Sequence, residues 1–510
     1  MALAKSFAVS LMGLEGAQIE VEVDISNSLP GFVLVGLPDA SLSEAAARVR
    51  AACVNSGFEL PAKKITVNLS PASVPKFGSS FDLAIALGIL AATKKIKQET
   101  LSELVCIGEL GLDGSLRRVN GVLPLVLQAK KLGFTKVAVP ISASSEANLV
   151  EGMTVVAANS LGSLVALLNG ASQEISQVSV PEPTSQESDL DLSDVAGQPD
   201  AIFAMLVAAA GRHNISMVGS PGAGKTMLAE RLPTILPELN QEQAIEVAAI
   251  HSLVGSGQVF SGTAISRSPQ FQAPHHSASM ASVIGGGLGL PRPGAISLAH
   301  HGVLFLDEIT EFQNNVLQSL REPLESRKIT ISRSAGQAIY PANFQLVVAA
   351  NPCACGNYGS AKLPCSCSVV SRQKYLNRLK GPLFDRIDLR LQIQPVGTLL
   401  NKLMQDNNSA MTSAQARLLT TQARLASRER LSKTRFESNA EVSASYLRGK
   451  LKLSPSSTKS LVRALDKGLI SMRGYDRCLR VAWTIADIEG ATSPDESMVA
   501  RAMTLRGADA

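Results

Sequence analysis

An eight-residue stretch, Gly219-Ser-Pro-Gly-Ala-Gly-Lys-Thr226, has the residue types and spacing of a phosphate-binding loop. Its glycines allow backbone N–H groups to curl around phosphate oxygens, and a following helix adds its positive end. Lys225 is expected to reach the β- and γ-phosphates, and Thr226 to hold Mg²⁺. The candidate nucleotide-binding residues in this stretch are Gly219, Ser220, Pro221, Gly222, Ala223, Gly224, Lys225 and Thr226.

Two carboxylates and an amide follow apolar runs further along the chain. The run from Gly302 predicts a buried strand that ends in Asp307 and Glu308, and Phe344 to Ala350 predicts another that ends in Asn351. Asp307 would hold Mg²⁺ through water, Glu308 would polarise the attacking water, and Asn351 would orient it. Phosphoryl transfer depends mainly on positioning and charge neutralisation, so these groups suffice for ATP hydrolysis.

The elements that must position these residues follow from the runs on either side of the glycine loop. Ile215 to Val218 predicts a buried strand before the loop, and Met227 to Ala229 predicts the first turn of a helix after it. The order strand, glycine loop, helix separates a phosphate site from an ordinary glycine turn. With the two later strands, it predicts an α/β core with a parallel sheet.

Four of the seven cysteines form two close pairs, Cys353-Ala-Cys355 and Cys365-Ser-Cys367. Glycines and a proline between the pairs let the loop turn back. Four thiolates within tetrahedral reach are the arrangement of a structural Zn²⁺ site. Free thiols or a redox pair are the alternative, because C-x-C is a less common spacing than C-x-x-C.

The composition indicates a soluble globular protein with two or three domains, because 510 residues exceed what one core holds. No apolar run approaches the roughly 18 residues of a membrane helix. The cysteine usage suits a reducing compartment, and the apolar N-terminus lacks a convincing cleavage site. We therefore expect a cytoplasmic protein without a membrane partner. The net charge of +5 is too small to diagnose nucleic-acid binding.

Residues 1–170 predict a separate α/β domain. Pro75-Lys-Phe-Gly-Ser-Ser-Phe-Asp82 and the segment Cys106 to Ser115 resemble the proteolytic domain of Lon proteases and the Lon-like domain of RadA. The resemblance puts Ser80 at the nucleophile position, Asp82 in place of a small residue, and Leu123 in place of the activating lysine. A serine without a base is inert, so we expect a protease-like fold without peptidase activity. Six basic residues could form a nucleic-acid face or an ordinary solvated surface: Arg48, Arg50, Lys63, Lys64, Arg117 and Arg118.

The remaining boundaries are a linker at 171–193, an ATPase core at 194–395 and a helical domain at 396–510. The segment 177–193 is polar, acidic and proline-bearing, which predicts an extended connection. Asp194-Val-Ala-Gly-Gln198 resembles the box that opens the ATPase domain of AAA+ proteins and contacts adenine. This resemblance implies adenine contacts for Gly197 and Gln198.

Leu383-Phe-Asp-Arg-Ile-Asp388 resembles the AAA+ segment that carries the arginine finger, which would be Arg386. A finger reaches the γ-phosphate of a neighbouring subunit, so the resemblance implies a ring, typically a homo-hexamer. An ion pair with Asp385 or Asp388 is the alternative.

An insert and a hairpin lie between these motifs. Gln272 to Gly294 is rich in glycine and proline and resembles the helix-2 insert of magnesium-chelatase ATPases and MCM helicases. We expect its His275 and His276 to make structural hydrogen bonds. Ile329 to Tyr340 alternates apolar and polar residues around Ser334-Ala-Gly336 and predicts a β-hairpin. In related helicases this hairpin enters the pore, which implies DNA contacts for Lys328 and Arg333. Ordinary exposed charges are the alternative.

Helical periods continue to the C-terminus. In Met472 to Glu489 the arginines at 473, 477 and 480 share one helix face. An AAA+ lid presents a sensor arginine to the γ-phosphate from such a face, which implies Arg473, or otherwise Arg480. Surface charge is the alternative, and Trp483 is expected in the core.

The order of these motifs resembles one family over nearly the whole chain, the magnesium-chelatase-like AAA+ proteins known as YifB or ComM. The resemblance implies a Lon-like α/β domain, an AAA+ core and a helical lid, with ATP, Mg²⁺ and Zn²⁺ as cofactors. It also implies a hexameric DNA motor that promotes branch migration while single-stranded DNA is integrated during natural transformation. A magnesium-chelatase subunit and a Lon-like protease are the alternatives. Neither a metal-adhesion D-x-S-x-S motif nor the protease lysine is present.

Overall fold

The N-terminal domain is built on a mixed sheet whose alternating strands bury one face. The computed structural model describes residues 2–36, 44–171, 190–256, 259–261, 264–287, 290–333, 336–359, 364–379, 381–394 and 411–507. Seven strands pair in the order β3-β4-β2-β1-β5-β8-β9. The strands of this domain are β1 (Ala2–Met12), β2 (Glu15–Ser26), β3 (Gly31–Val35), β4 (Lys64–Ser70), β5 (Leu104–Cys106), β6 (Glu109–Leu110), β7 (Leu116–Arg117), β8 (Lys136–Pro140) and β9 (Thr154–Ala158).

Helices cover this sheet and fill its core. They are α1 (Ala45–Asn55), α2 (Asp82–Ala92), α3 (Gln98–Leu101), α4 (Val122–Lys131), α5 (Ser144–Ala147) and α6 (Leu161–Leu168), with a 3₁₀ turn at Ile141–Ala143. Helix α2 is buried along nearly its whole length, as its almost uninterrupted apolar sequence requires. The long hairpin of β1 and β2, which pairs Ala2 with Ile25 and Met12 with Glu15, was not predicted.

The ATPase core is organised around five parallel strands in the order β13-β16-β19-β10-β20. Short apolar runs form these strands because both faces of a parallel sheet are covered by helices. The strands of the core and its insert are β10 (Ile215–Gly219), β11 (Phe260–Ser261), β12 (Ala264–Ile265), β13 (Phe271–Gln272), β14 (Gly285–Gly286), β15 (Arg292–Pro293), β16 (Val303–Leu306), β17 (Lys328–Arg333), β18 (Gly336–Pro341), β19 (Gln345–Ala350) and β20 (Leu389–Ile393).

The helices of the core flank these strands. They are α7 (Pro199–Gly211), α8 (Lys225–Ile235), α9 (Gln241–Leu253), α10 (Met280–Val283), α11 (Ala295–Leu298), α12 (Asn314–Ser319), α13 (Arg321–Ser326) and α14 (Val369–Arg378), with 3₁₀ turns at Leu192–Asp194, Ile309–Glu311 and Phe384–Arg386. Most of the predicted linker lies outside the described residues. Its end packs on the two domains that follow, because Leu192 is buried in the apolar core that they share and its amide donates to Ser413 Oγ of the C-terminal domain.

The C-terminal domain is helical, as predicted. Its helices are α15 (Ser413–Leu431), α16 (Ala444–Arg448), α17 (Lys459–Asp466), α18 (Met472–Glu489) and α19 (Glu496–Leu505), with a 3₁₀ turn at Asn439–Glu441. Their apolar faces share one core with α7, α8 and strands of the parallel sheet, and Trp483 is buried there. Among the described residues, no helix combines the length and the apolarity needed to cross a membrane.

Candidate nucleotide-binding site

The glycine loop joins β10 to α8 at the carboxyl edge of the parallel sheet. Gly222 and Gly224 have φ values of 74° and 90°, a left-handed conformation that favours glycine. Gly219 is required by close packing, because a Cβ added there would lie 2.5 Å from the carbonyl oxygen of Ile393. Since α8 begins at Lys225, the positive end of its dipole lies at the loop. The loop therefore has the geometry of an anion cradle.

Lys225 is buried inside this loop and held by three oxygens. Its Nζ donates to the carbonyl oxygens of Gly219 at 2.7 Å and Ser220 at 3.1 Å, and to Asn351 Oδ1 at 3.1 Å. Burial lowers the pKa of Lys225, while the charges of Asp307 and Glu308 act in the opposite direction. The amine and the amide of Asn351 are thus already adjacent at the place where a phosphate would lie.

The two acids meet the loop from the neighbouring strand end. Thr226 Oγ1 donates to Asp307 Oδ2 at 3.1 Å, and the backbone amide of Glu308 donates to Asp307 Oδ1 at 2.8 Å. A hydroxyl and a carboxylate at this separation are oxygen ligands of the kind that Mg²⁺ uses beside a phosphate. Thr226 and Asp307 are therefore the residues that could hold the ion.

Glu308 has an unusual backbone and a partner that sequence reasoning missed. Its φ is 49°, a left-handed value that is uncommon for a residue with a side chain. Its Oε2 lies 3.2 Å from Nδ1 of His276, on the insert segment between β13 and α10. The ring of the neighbouring His275 packs against that of His276 at a tilt of 34°, and its Nδ1 lies 2.7 Å from Ser277 Oγ. The adjacent histidines were the signal for this contact, but their partner was not predictable.

Gln198 reaches the loop from the segment that precedes α7. Its Nε2 donates to the carbonyl oxygen of Ala223 at 2.9 Å and lies 3.5 Å from that of Gln394. Its Oε1 is buried and has no protein partner among the described residues. The preceding Gly197 has a φ of 70°. The segment therefore brings an unpaired acceptor to the nucleotide side of the sheet.

Arg386 lies at the opposite edge of the sheet from the loop. It belongs to the turn before β20, which runs parallel to β10, so the start of β20 is remote from the end of β10. Its guanidinium pairs with Glu325, and Nη1 donates to the carbonyl oxygen of Pro382 at 2.6 Å. This differs from the alternative partners considered from the sequence, Asp385 and Asp388.

The lid arginines lie at the same remote edge. Arg473 is 80% exposed, and its Nη1 lies 3.7 Å from Asp385 Oδ2. Arg477 pairs with Asp388, and Arg480 donates from Nε to the carbonyl oxygen of Val442 at 2.8 Å. Neither Arg473 nor Arg480 approaches the phosphate loop of its own chain. Their sensor role stays a prediction.

The four loop cysteines converge beside the phosphate loop. Cys353 Sγ lies 3.4 Å from Cys355 Sγ and 3.7 Å from Cys365 Sγ, and Cys355 and Cys365 are 3.6 Å apart. Cys367 completes a group whose sulfur atoms all lie within 4.8 Å of one another. A disulfide would need about 2.05 Å. A tetrahedron with Zn–S bonds of 2.3 Å has edges of roughly 3.8 Å, so the thiols fit Zn²⁺.

The hairpin of β17 and β18 forms as predicted, although its tip residues Ser334 and Ala335 lie outside the described residues. Lys328 and Arg333 are exposed at its two ends. Arg333 Nη2 would lie 2.5 Å from a Cβ added to Gly286 of the insert, so the hairpin and the insert are in contact.

The protease-like pocket of the N-terminal domain lacks a base at the expected position. Leu123 is fully buried there, and its backbone amide donates to Glu146 Oε1 at 2.8 Å. The lysine nearest to Ser80 in sequence, Lys76, is buried and donates to the carbonyl oxygen of Pro71. The structure therefore offers Ser80 no lysine at the site where Lon carries one.

Ion pairs explain why an aspartate, Asp82, stands where the Lon domain has a small residue. They also involve part of the predicted basic face. Arg48 Nε and Nη2 donate to the two oxygens of Asp82 at 2.7 Å and 3.0 Å. Burial raises the pKa of Asp82, and Arg48 opposes that effect. Arg118 Nη2 donates to Glu146 Oε2 at 2.6 Å. Two of the six basic residues thus serve internal contacts, which weakens the prediction of a nucleic-acid face on this domain.

The strand order identifies the class of protein. The strand ending in Asn351 lies between the phosphate-loop strand and the strand that ends in the two acids, and a helical domain follows. This arrangement defines an ATPase of the AAA+ class.

Comparison with known protein families gives matches to successive parts of the chain. Three family descriptions match in order: subunit ChlI of Mg-chelatase at residues 21–143, magnesium chelatase subunit ChlI at residues 191–399, and its C-terminal part at residues 410–506. Part of the chain is also similar to Lon protease 2 of Bacillus subtilis, with 30% identity over 157 residues, 30% of this chain and 28% of that protein.

Several relatives are similar from end to end. A Mycobacterium tuberculosis protein is 46% identical over 99% of both chains. Competence protein ComM of Haemophilus influenzae is 41% identical over 99% of this chain and 98% of its own length. YifB of Escherichia coli is 40% identical over 100% of this chain and 98% of its own. The chain belongs to the YifB/ComM family of magnesium-chelatase-like AAA+ ATPases.

Proposed function

We propose that the protein is an ATP-driven DNA motor. It works as a homo-hexameric ring that promotes branch migration while single-stranded DNA is integrated during natural transformation and homologous recombination. Full-length similarity to a protein named for competence supports the biological setting. ATP and Mg²⁺ are the cofactors that the loop, Thr226 and Asp307 would bind.

The ring is supported by one observation: the proposed catalytic groups lie far apart within a single chain. Lys225, Asp307 and Glu308 lie at the carboxyl edge of the parallel sheet, whereas Arg386 and Arg473 lie at or beyond its amino edge. An arginine finger contributes about 10³- to 10⁵-fold to phosphoryl transfer when it reaches the transition state. A ring brings the amino edge of one subunit to the nucleotide of the next.

In the proposed mechanism, each loop residue acts on the bound phosphates. The amides of Gly222 to Thr226 and the amine of Lys225 neutralise phosphate charge, and Asn351 orients the attacking water that Glu308 polarises. Gln198 Oε1, the unpaired acceptor beside the loop, accepts a hydrogen bond from the adenine amino group. Adenine recognition by Gly197 and Gln198 is therefore part of the proposal.

Zinc is proposed as a resident structural ion. The donor set suits Zn²⁺, because the four thiols have tetrahedral spacing and the amide of Tyr358 donates to Cys353 Sγ at 3.3 Å. The ion would be held by Cys353, Cys355, Cys365 and Cys367, and it would close the loop that follows Asn351. About one Zn²⁺ per chain is the expected stoichiometry.

DNA contacts are proposed for Lys328 and Arg333. These cations are exposed on the hairpin, and phosphate contacts of this kind give a salt-dependent affinity. In a ring, the hairpin would face the threaded strand.

The function is tested by two assays on the purified full chain. ATP hydrolysis is measured with and without single-stranded and forked DNA, and branch migration is measured on a three-strand junction with a labelled displaced strand. We expect DNA to stimulate hydrolysis, and displacement to require ATP and Mg²⁺. Hydrolysis at the same rate with and without DNA, together with no displacement, would refute the motor. Replacing both Lys328 and Arg333 with alanine should weaken DNA binding and reduce its salt dependence. The charge-matched control replaces Lys450 and Lys452, two exposed lysines of the helical domain, with alanine.

A further inference from the structure

Three arginines line a cavity between the ATPase core and the helical domain. Arg212 directly follows α7 of the core, and Arg424 and Arg428 lie one turn apart on α15 of the helical domain. The cavity has a volume of about 120 Å³, several times the space that one water molecule needs. Gly302, just before β16, and Gln345, at the start of β19, also line it. The cavity therefore lies at the amino edge of the parallel sheet, opposite the phosphate loop.

Arg424 has no acidic partner among the described residues. Its Nε and Nη2 both donate to the carbonyl oxygen of Ala209, at 3.0 Å and 2.7 Å, which leaves Nη1 without a hydrogen bond to the described part of the chain. The negative end of the α7 dipole offsets part of the charge. Burial lowers the pKa of Arg424 to about 9, and the charges of Arg212 and Arg428 act in the same direction. Arg424 is thus a partly buried cation whose charged neighbours repel it.

The other two arginines are weakly compensated. Arg212 Nη2 donates to Asn343 Oδ1 at 3.0 Å, and its Nη1 lies 3.8 Å from Glu437 Oε2. Glu437 is 62% exposed, so this pair contributes little free energy. The side chain of Arg428 is exposed and has no hydrogen bond or ion pair within the described ranges. Besides Glu437, the carboxylate that lines the cavity is the exposed Glu238.

Two carboxamides add neutral donors to the same cavity. Asn240 Oδ1 accepts from the amide of Gln243 at 2.9 Å, and Gln243 Oε1 accepts from the amide of Asn240 at 3.2 Å. Because both side-chain oxygens are occupied, the two NH₂ groups are the parts of these side chains that remain to bind a ligand. The cavity therefore combines three cations with two neutral donors.

We propose that this cavity binds a phosphate or diphosphate group, held between Arg212 of the core and Arg424 and Arg428 of the helical domain. A guanidinium presents a planar fork of N–H donors that matches two phosphate oxygens. The bound anion also removes the repulsion among the three cations. The phosphate is either free or part of a nucleic-acid backbone, since both present the same oxygens to the arginines.

The site is separate from the residues proposed to act on ATP. Lys225 and Asp307 lie at the other edge of the sheet, and neither Arg386 nor Arg473 lines the cavity. The inference thus goes beyond the proposed function. Because the arginines come from two domains, a bound phosphate would join the helical domain to the core.

The test titrates the full-length protein with sodium diphosphate at constant ionic strength, by isothermal titration calorimetry. The nucleotide site is first filled with a fluorescent ADP analogue, without Mg²⁺ because Mg²⁺ binds diphosphate. Retention of the analogue shows that diphosphate does not enter the phosphate loop. The variants are Arg424→Gln and Arg428→Gln. The control is Arg463→Gln, an exposed arginine on α17 of the same domain that does not line the cavity.

We expect wild type and Arg463→Gln to bind diphosphate equally. The Kd should rise about tenfold in Arg424→Gln and about threefold in Arg428→Gln, because each variant loses charge-assisted hydrogen bonds. Arg428 is exposed, so its replacement tests the site without disturbing the contact of Arg424 with α7. Absence of saturable binding by wild type, an unchanged Kd in either folded variant, or an equal loss in Arg463→Gln would overturn the proposal.

A second titration identifies the source of the phosphate. A short single-stranded oligonucleotide that displaces diphosphate from wild type, and that binds more weakly to Arg428→Gln, would show that the site holds the DNA backbone. Diphosphate binding that the oligonucleotide leaves unchanged would show that the site holds a small phosphate compound. Both results support the phosphate site. These measurements involve neither ATP hydrolysis nor branch migration, so failure of the site and failure of the motor are distinguishable.

Discussion

At the residue scale, the candidate site depends on a few groups whose positions follow from strand ends. Lys225, Asp307 and Asn351 come from three adjacent parallel strands or the loop after one of them, so their side chains meet at one edge. The sequence motifs therefore predicted that these residues lie together, whereas their catalytic roles stay predictions. The partner of Glu308 could not be predicted, because His276 reaches it from an insert whose path depends on tertiary packing.

Lys225→Ala should abolish ATP hydrolysis. The amine lies among backbone oxygens of the loop, where the β- and γ-phosphates are proposed to bind, and alanine would leave the developing charge without a partner. Loss of one such donor costs about 10²-fold or more in kcat. Steady-state phosphate release checks this, with Lys63→Ala on the N-terminal domain as the lysine control. Wild-type turnover by Lys225→Ala would contradict the site assignment.

Glu308→Gln should trap ATP in an assembled ring. Glutamine is nearly isosteric but cannot act as a general base, so binding survives while hydrolysis stops. Nucleotide retained after gel filtration, analysed by chromatography, is expected to be mainly ATP. Recovery of ADP at the wild-type ratio would show that Glu308 does not activate the water.

At the element scale, the cysteine loop ties together the three segments that form the active edge. A Cβ added to Gly356 would lie 2.7 Å from Pro221 Cδ, so the loop packs directly on the phosphate loop. Helix α14 follows it, and Tyr375 Oη accepts from Thr310 Oγ1 at 3.0 Å, just beyond Glu308. The loop itself starts two residues after Asn351. A structural ion in this loop would fix the positions of the phosphate loop, Glu308 and Asn351 relative to one another.

Cys365→Ser should therefore reduce both zinc content and turnover. Serine is a poor replacement for a thiolate in a tetrahedral zinc site, so zinc should fall well below about one per chain. Because the loop packs on Pro221, kcat should fall as well. Elemental analysis and hydrolysis rates check this, with Ser366→Ala as the control between the two thiols. A variant with no zinc and wild-type kcat would show that the ion does not support the site.

Element prediction from the sequence succeeded where periods were strong and failed where pairing partners are distant. Helix α18 has its predicted bounds, Met472 to Glu489, because its apolar face and the Ser471 cap define both pattern and start. Strand β1 was not predicted, because it is stabilised by its long pairing with β2 and pairing cannot be read from the residues of β1 alone. The arginines of α18 were assigned to one face correctly, but only packing shows that this face lies far from the loop of its own chain.

At the scale of the whole molecule, the N-terminal domain is joined to the ATPase core at helix α9. Glu146 is 3% exposed and accepts from Arg118, the amide of Leu123 and the hydroxyl of Ser252. The amide of Gly121 donates to the carbonyl oxygen of Ser252 at 2.9 Å. The segment where Lon would carry its lysine has thus become part of a domain interface.

Replacing Glu146 with alanine should loosen this interface. The change leaves buried donors without an acceptor, at a cost of about 3 kcal/mol. Ser252→Ala removes only the contribution from the core and should have a smaller effect. Limited proteolysis of the full chain and thermal unfolding check this, and we expect earlier cleavage between the domains for Glu146→Ala. Wild-type cleavage and unfolding in both variants would contradict a structural interface.

The central claim is that one catalytic site is shared between two subunits, and mixing of inactive variants tests it most directly. A Lys225→Ala subunit still has the proposed arginine finger, Arg386. An Arg386→Ala subunit still has an intact phosphate loop. Each alone should be inactive while still assembling. In rings mixed at equal ratio, about a quarter of the interfaces pair an intact loop with an intact finger, so hydrolysis should reappear. Wild-type turnover by Arg386→Ala alone, or continued inactivity of rings proven to be mixed, would contradict the shared site.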